Sequence, residues 1–290
     1  MRDIQYAAPR SLDDAVAILS EFGNRARILA GGTDLIVQIR EHVRDVDVVV
    51  DGKRVSELME LSYTPEGGLT LGAAVPCAVV YQNADVVRAY PGLVDAASII
   101  GGTGIQGRAS IGGNLCNSGP AADSIPALIA YSAVARIAGP RGMREVPVEE
   151  FCTAPGVNVL QEGELLVSLH VPAPPAHSGG RYLRFIPRNE MDIAEVGAGA
   201  FVVLDESGER FVSARVAIGA VAPRPLFVPE AGAALAGQPV NDESLAAAAA
   251  AARHAAVPID DQRGTIEHRK HLAGVLTKRA LKGAIDRARA

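Results

Sequence analysis

A glycine-rich stretch contains the residues of this sequence that are best suited to contact a ligand. Residues 100–128 hold seven glycines, with the short polar residues Thr103, Ser110 and Asn114 among them. Glycine lets a backbone turn tightly or lie directly against a ligand, because it has no Cβ. Hydroxyl and amide groups can bond a phosphate or a ring heteroatom. The stretch is therefore either a structural loop or a site for a phosphorylated or heterocyclic ligand.

A second glycine loop stands earlier in the chain, at residues 30–34, with the sequence Ala-Gly-Gly-Thr-Asp. The apolar pattern predicts a strand over 26–30 before it and a helix over 34–40 after it. A strand, a glycine turn and a helix in this order direct backbone N–H groups at an anion. No lysine follows the glycines as in ATP-hydrolysing loops, so that activity is not indicated. Two such loops suit a long ligand that is held at a pyrophosphate and at a ring, and FAD fits this description.

Residues 102–107 also match the dinucleotide-binding pattern G-x-G-x-x-G. That pattern carries its function only directly after a strand and at the start of a helix. Residues 91–100 before it have apolar positions at helical spacing, and the short segment 108–111 after it is strand-like. The pattern therefore does not predict a Rossmann site.

Taken together, the two loops resemble those of a known family. The segments Leu-Ala-Gly-Gly-Thr-Asp-Leu at 29–35 and Ala-Ser-Ile-Gly-Gly-Asn at 109–114 are similar to the FAD-binding medium subunit of the molybdenum hydroxylases, the xanthine dehydrogenase and aerobic carbon monoxide dehydrogenase family. The resemblance covers the whole chain. It implies that one FAD is bound by Ile28, Leu29, Ala30, Gly31, Gly32, Thr33, Asp34, Leu35, Ile100, Thr103, Ser110, Ile111, Gly112, Gly113, Asn114, Asp123, Leu166 and Arg184.

Within this set, the resemblance places the pyrophosphate at residues 28–35 and the other side of the cofactor at residues 110–114. It implies that Ile100 lies near the flavin ring, that Asp123 bonds the cofactor, and that Leu166 and Arg184 touch it. Arg184 stands where relatives commonly carry lysine. Each role has a structural alternative: Asp123 and Asp34 as helix caps, and Leu166 as plain core.

The expected fold is α+β. The resemblance implies a two-lobed FAD-binding domain of the PCMH or vanillyl-alcohol-oxidase type over 1–175, and a smaller α+β domain of sheet plus helices over 178–290. The Pro- and Gly-rich segment 172–180 marks the boundary. Beyond it, strands followed by helices favour an α+β arrangement.

Composition and missing patterns exclude several classes of function. The net charge of −5 and the lack of a basic stripe argue against nucleic acid. The three cysteines show no metal-ligand spacing, so we expect no metal in this chain. Free thiols predict a cytoplasmic protein. The sequence contains no run of about 18 apolar residues, so we expect no membrane span. No serine, cysteine or carboxylate set is spaced for catalysis, so we expect no catalytic residue here.

The resemblance implies a relay of electrons. A large subunit with a molybdenum–pterin cofactor would oxidise the substrate, and a small subunit with two [2Fe-2S] clusters would pass electrons to the FAD of this chain. The complex would be a dimer of heterotrimers, and the FAD would pass the electrons on to an external acceptor. The alternatives are a self-contained FAD-dependent oxidoreductase of the same superfamily and a cofactor-free assembly protein.

Overall fold

The computed structural model describes residues 3–189 and 191–290. The strands are β1 (Gln5–Ala7), β2 (Ala26–Leu29), β3 (Val48–Asp51), β4 (Leu61–Thr64), β5 (Gly68–Gly72), β6 (Val134–Gly139), β7 (Gly142–Pro147), β8 (Cys152–Ala154), β9 (Val157–Asn158), β10 (Leu165–Val171), β11 (Ser178–Phe185), β12 (Val196–Leu204), β13 (Phe211–Gly219) and β14 (Leu226–Phe227). The helices are α1 (Leu12–Phe22), α2 (Leu35–Arg40), α3 (Cys77–Gln82), α4 (Ala84–Ala89), α5 (Pro91–Ala97), α6 (Thr103–Gln106), α7 (Ile111–Asn117), α8 (Ser124–Ala130), α9 (Val148–Phe151), α10 (Pro229–Leu235), α11 (Asp242–Ala255) and α12 (Ile266–Ala288). No helix within these ranges is long and apolar enough to cross a membrane.

The first lobe is a small parallel sheet with the strand order β1-β3-β2, covered by α1. The sequence Ser-Leu-Asp-Asp at 11–14 resembles a capping box with Ser11 as the N-cap. In agreement, the hydroxyl oxygen of Ser11 accepts from the N–H of Asp14 at 3.2 Å and caps α1. Ala15 and Leu19 then form the buried face of the helix and share one core with Val50 of the central strand. Because β2 is the edge strand, the first glycine loop leaves the sheet at its border.

The second lobe is an antiparallel sheet with the order β4-β5-β10-β6-β7. Strand β10 lies in its middle and pairs with β5 and β6, which are far from it in sequence. One sheet face shares a core with the helices of residues 77–130, in which Leu71, Ile137 and Leu169 are fully buried. The segments 134–138 and 144–148 flank the sequence Gly-Pro-Arg-Gly, which predicts a hairpin. The hairpin is present as β6 and β7, with a turn at Pro140 and Arg141.

The third sheet is antiparallel, has the order β11-β12-β13-β14, and lies between two layers of helices. A Cβ on Gly179 of β11 would lie 2.2 Å from the carbonyl oxygen of Ala284 in α12. A Cβ on Gly199 of β12 would lie 2.5 Å from the carbonyl oxygen of Pro126 in α8. Small residues thus let helix backbones approach both faces of the sheet. The two-domain arrangement of mixed helices and sheets agrees with the expected α+β fold.

Two local predictions are wrong. The apolar pattern predicts one helix over 76–89, but the chain breaks at Asn83, whose side-chain oxygen caps α4 by accepting from Asp85 and Val86. The segment 108–111 is not a strand, because Ser110 caps helix α7 instead. Both errors have one cause, since a polar side chain that bonds the backbone outweighs the apolar pattern around it.

Candidate functional site

The first glycine loop connects β2 to α2 and touches the second loop through its backbone. Gly32 has a φ of +77°, a left-handed conformation that favours glycine. Gly31 packs against the backbone of Arg108 and Ala109, which leads into the second loop. A Cβ on it would stand 2.4 Å from the carbonyl oxygen of Arg108 and 2.9 Å from the Cα of Ala109. The two loops therefore meet at a position that only glycine fits.

The second glycine loop is the first turn of α7. The hydroxyl oxygen of Ser110 accepts from the N–H of Gly113 at 3.0 Å and caps the helix. A Cβ on Gly112 would lie 2.5 Å from the backbone of Ala73, so this glycine allows α7 to pack on the end of β5. The amide oxygen of Asn114 accepts from the hydroxyl of Ser124 at 2.6 Å. These polar side chains therefore hold the loop in shape.

A chain of polar side chains ties the two loops together on one side. The Nε of Arg44 donates to the amide oxygen of Gln38 at 2.7 Å, and Gln38 donates to Asn117 at 3.1 Å. Asn117 reaches the carboxylate of Asp34 at 3.5 Å. Helix α2 is only six residues long, so this network contributes to fixing its position beside α7.

A cavity of about 390 Å³ lies between the two loops. This volume falls in the usual range for small-molecule and cofactor sites. Of the predicted residues, the cavity is lined by Ile28, Ala30, Gly31, Gly32, Thr33, Asp34, Leu35, Ile100, Ser110, Gly112, Gly113, Asn114 and Leu166. The structure does not bring Leu29, Thr103, Ile111, Asp123 or Arg184 to this wall. Their contact with a cofactor stays a prediction.

Other residues line the cavity without having been predicted, among them Arg27, Gln38, Arg44, Asn117 and Gln161. A signal existed for two of them. Gln38 follows Asp34 by four residues, which places both on one helix face. Asn117 likewise follows Asn114 by three residues. Nothing local marks the other three, because the tertiary fold brings them to the wall.

Asp123 belongs to a buried polar cluster that joins the second lobe to β11. Its carboxylate accepts from the hydroxyl of Tyr182 at 2.8 Å and from the guanidinium of Arg184 at 2.6 Å. Burial raises the pKa of Asp123, although Arg184 and Tyr182 oppose the shift. The side chain makes no capping bond to α8, so the alternative of a simple helix cap is wrong.

The remaining features concern redox and metal chemistry. Burial and the neighbouring Cys152 raise the pKa of the Cys116 thiol to about 12, which disfavours a reactive thiolate at the cavity wall. Within the described parts of the chain, no three His, Cys, Asp or Glu side chains are grouped to hold a metal ion.

Comparison with known proteins assigns the family. Residues 2–174 match the family described as FAD binding domain in molybdopterin dehydrogenase, and residues 181–284 match the CO dehydrogenase flavoprotein C-terminal domain. A protein of Escherichia coli O157:H7 named xanthine dehydrogenase FAD-binding subunit is 32% identical over 284 residues, which cover 98% of this chain and 96% of that protein. The carbon monoxide dehydrogenase medium chain of Afipia carboxidovorans is 32% identical over 286 residues, or 98% and 97% of the two chains. The chain belongs to this family of FAD-binding medium subunits.

The fold of this medium subunit matches solved structures as well. A chain of the Cu,Mo-CO dehydrogenase in its cyanide-inactivated form superposes with a TM-score of 0.93 at 28% identity, with 98% of each chain covered. The protein is therefore an oxidoreductase subunit with an FAD-binding domain, as its glycine loops predict. The residues at the cavity fit that cofactor, because Gly31 and Gly32 leave backbone free of side chains where the two loops meet.

Proposed function

We propose that this chain holds FAD in the cavity between its glycine loops and relays electrons within a molybdenum hydroxylase complex. The observation that carries the proposal is the meeting of residues 30–34 and 110–114 at one cavity wall. The first loop offers backbone N–H groups to the pyrophosphate, and the second lies along the other side of the cofactor. Ile100 and Leu166 would contact the flavin ring. Residues 1–175 would form the FAD-binding domain and residues 178–290 the C-terminal domain.

The FAD, when bound, supplies the redox chemistry, since flavins accept and release electrons singly or in pairs. The chain itself positions the ring and excludes water from it. The described residues that line the cavity include no nucleophile–base pair, and the thiol among them, that of Cys116, has a raised pKa. This set of lining residues supports a role in relaying electrons and disfavours an active site for an organic substrate.

The partners in this proposal are a small subunit with two [2Fe-2S] clusters and a large subunit with the molybdenum–pterin cofactor, assembled as a dimer of heterotrimers. The relatives' names support a multi-subunit assembly, because they describe medium chains and FAD-binding subunits. The free thiols of Cys77, Cys116 and Cys152 support a cytoplasmic location, where disulfides are rare.

The test compares the full chain alone with the co-expressed three-subunit complex under anaerobic conditions. Flavin absorbance is followed after addition of the substrate of the complex, and then after addition of dithionite. We expect dithionite to bleach the flavin in both samples and the substrate to bleach it only in the complex. Bleaching of the isolated chain by substrate would replace the relay with a self-contained flavoenzyme. A purified chain that binds no flavin would refute the proposal altogether.

A further inference from the structure

Two arginines line the cavity without a carboxylate partner. Arg27 lies in β2, three residues before the first glycine loop, and its Nη1 donates to the carbonyl oxygen of Ala26 at 2.7 Å. Arg44 follows α2, and its Nε donates to Gln38. Among the described residues, neither guanidinium lies within 4.0 Å of a carboxylate oxygen. Both side chains are half-buried.

The arginines that neighbour this pair in sequence behave differently. Arg25 forms a two-pronged ion pair with Asp47, and Arg40 pairs with Glu41. Of these four arginines, Arg27 and Arg44 are thus the two that have no carboxylate partner among the described residues.

The remaining charges at the cavity do not neutralise Arg27 and Arg44. Glu162 and Glu164 also line the wall. Glu162 is exposed, and Arg144 holds both oxygens of Glu164, at 2.8 and 2.6 Å. Asp34 is exposed and lies beside Asn117. Burial, and after it the charge of Arg44, lower the pKa of Arg27, which indicates that the two cations lie close enough to repel each other. Such a pair is stabilised when an anion lies between its members.

The chemistry of the pair suits phosphate. Guanidinium groups offer planar, forked N–H donors that match phosphate oxygens, and they stay charged when buried. The first loop contains no lysine, and α2 has only six residues, so its dipole is small. Backbone N–H groups alone would leave the two charges of a diphosphate without a counter-charge.

We propose that Arg27 and Arg44 form a dicationic phosphate site in this cavity, and that its occupant is the pyrophosphate of FAD. The inference rests on the proposed placement of FAD between the loops. Gln38 is a positioning residue in this site, because its amide oxygen holds Arg44 while its amide nitrogen reaches Asn117 of α7.

The test titrates the deflavinated full chain with FAD and measures the dissociation constant for the wild type, Arg27→Gln, Arg44→Gln and the control Arg40→Gln. Arg40 is exposed on α2 and does not line the cavity. We expect FAD affinity to fall about 10- to 100-fold in each cavity variant, the range for a lost charged hydrogen bond. Affinity should stay within about twofold for the control. Arg27→Lys and Arg44→Lys keep the charge and should lose less, which separates lost charge from a folding defect.

Two further readouts identify the occupant. ADP carries the same pyrophosphate, so the dissociation constant of ADP itself should rise in the glutamine variants relative to the wild type, whereas riboflavin, which has no phosphate, should bind all variants alike. Unchanged FAD affinity in both glutamine variants would overturn the inference and leave the proposed function standing. Unchanged FAD affinity together with lost binding of ADP would also overturn it, in favour of a separate phosphorylated ligand. A wild type that binds no FAD would instead refute the proposed function.

Discussion

The substitution Gly31→Ala tests whether direct contact between the two glycine loops forms the cofactor site. The new methyl group would stand 2.4 Å from the carbonyl oxygen of Arg108 and 2.9 Å from the Cα of Ala109. Both atoms belong to the backbone, so no rotamer change can relieve the contact. Arg108 also donates from its Nε to the carbonyl oxygen of Gly31 at 3.3 Å, which ties the same two segments together. We therefore expect the substitution to push the loops apart.

The size of the effect follows from the distances. Ordinary van der Waals contact begins at 3.4 Å, so the backbones must separate by about 1 Å to accept the methyl group. Overpacking of this kind costs about 1–3 kcal/mol, which lowers the melting temperature of a domain of this size by about 2–12 °C. A shift of about 1 Å in the first glycine loop also weakens the hydrogen bonds that its backbone would donate to the cofactor. We therefore expect FAD binding to be at least about tenfold weaker.

The assay is FAD titration of the deflavinated chain combined with thermal unfolding. Gly104→Ala is the matched control, because Gly104 lies in the same glycine-rich stretch and a Cβ there would meet no atom within 4 Å. It lies in helix α6, where alanine is favoured over glycine by up to about 1 kcal/mol. If Gly31→Ala binds FAD as tightly as the control and melts at the same temperature, the loops do not depend on their contact and the reasoning is refuted.

Two further predictions concern stability. Asp95→Ala removes the bidentate ion pair with Arg287 at 2.7 and 2.9 Å, the pair with Arg181 at 3.3 Å and the hydrogen bond that Asp95 accepts from the N–H of Tyr182 at 3.1 Å, and it should lower the free energy of unfolding by about 2–4 kcal/mol. Asp85→Ala, in the exposed ion pair with Arg88, should cost at most about 1 kcal/mol, and equal losses in urea denaturation would contradict this. A hydrogen bond from Arg144 lowers the pKa of Glu164 below its ordinary 4.5, so its contribution is present above pH 4.5 and is lost as the pH falls through the folded value. Glu164→Gln should therefore reduce the unfolding free energy by about 1–2 kcal/mol at pH 7 and flatten its acid dependence, and an unaltered pH profile would count against the pairing.

Several elements of the first two lobes were predictable from local patterns. The cap at Ser11, the glycine turn at residues 30–34 and the hairpin of β6 and β7 each depend on neighbours within a few residues. The cavity wall was less predictable, because Leu160 and Gln161 reach it only through the packing of the two lobes. The same holds for Asp123, whose polar partners lie about sixty residues away on β11. Sequence spacing carries no information about such pairs.

The third sheet contacts the site only indirectly, since no described residue after Leu166 lines the cavity. Asn114 of the second glycine loop is bonded to Ser124, the first residue of α8. Helix α8 in turn packs its backbone directly on Gly199 and against Gly219 of the third sheet. Helix α8 thus links the second loop to a sheet of which no described residue lines the cavity. We therefore expect a side chain larger than hydrogen at Gly199 to move α8 and, through Asn114, the loop itself, and so to weaken the binding of FAD in a titration of the deflavinated chain.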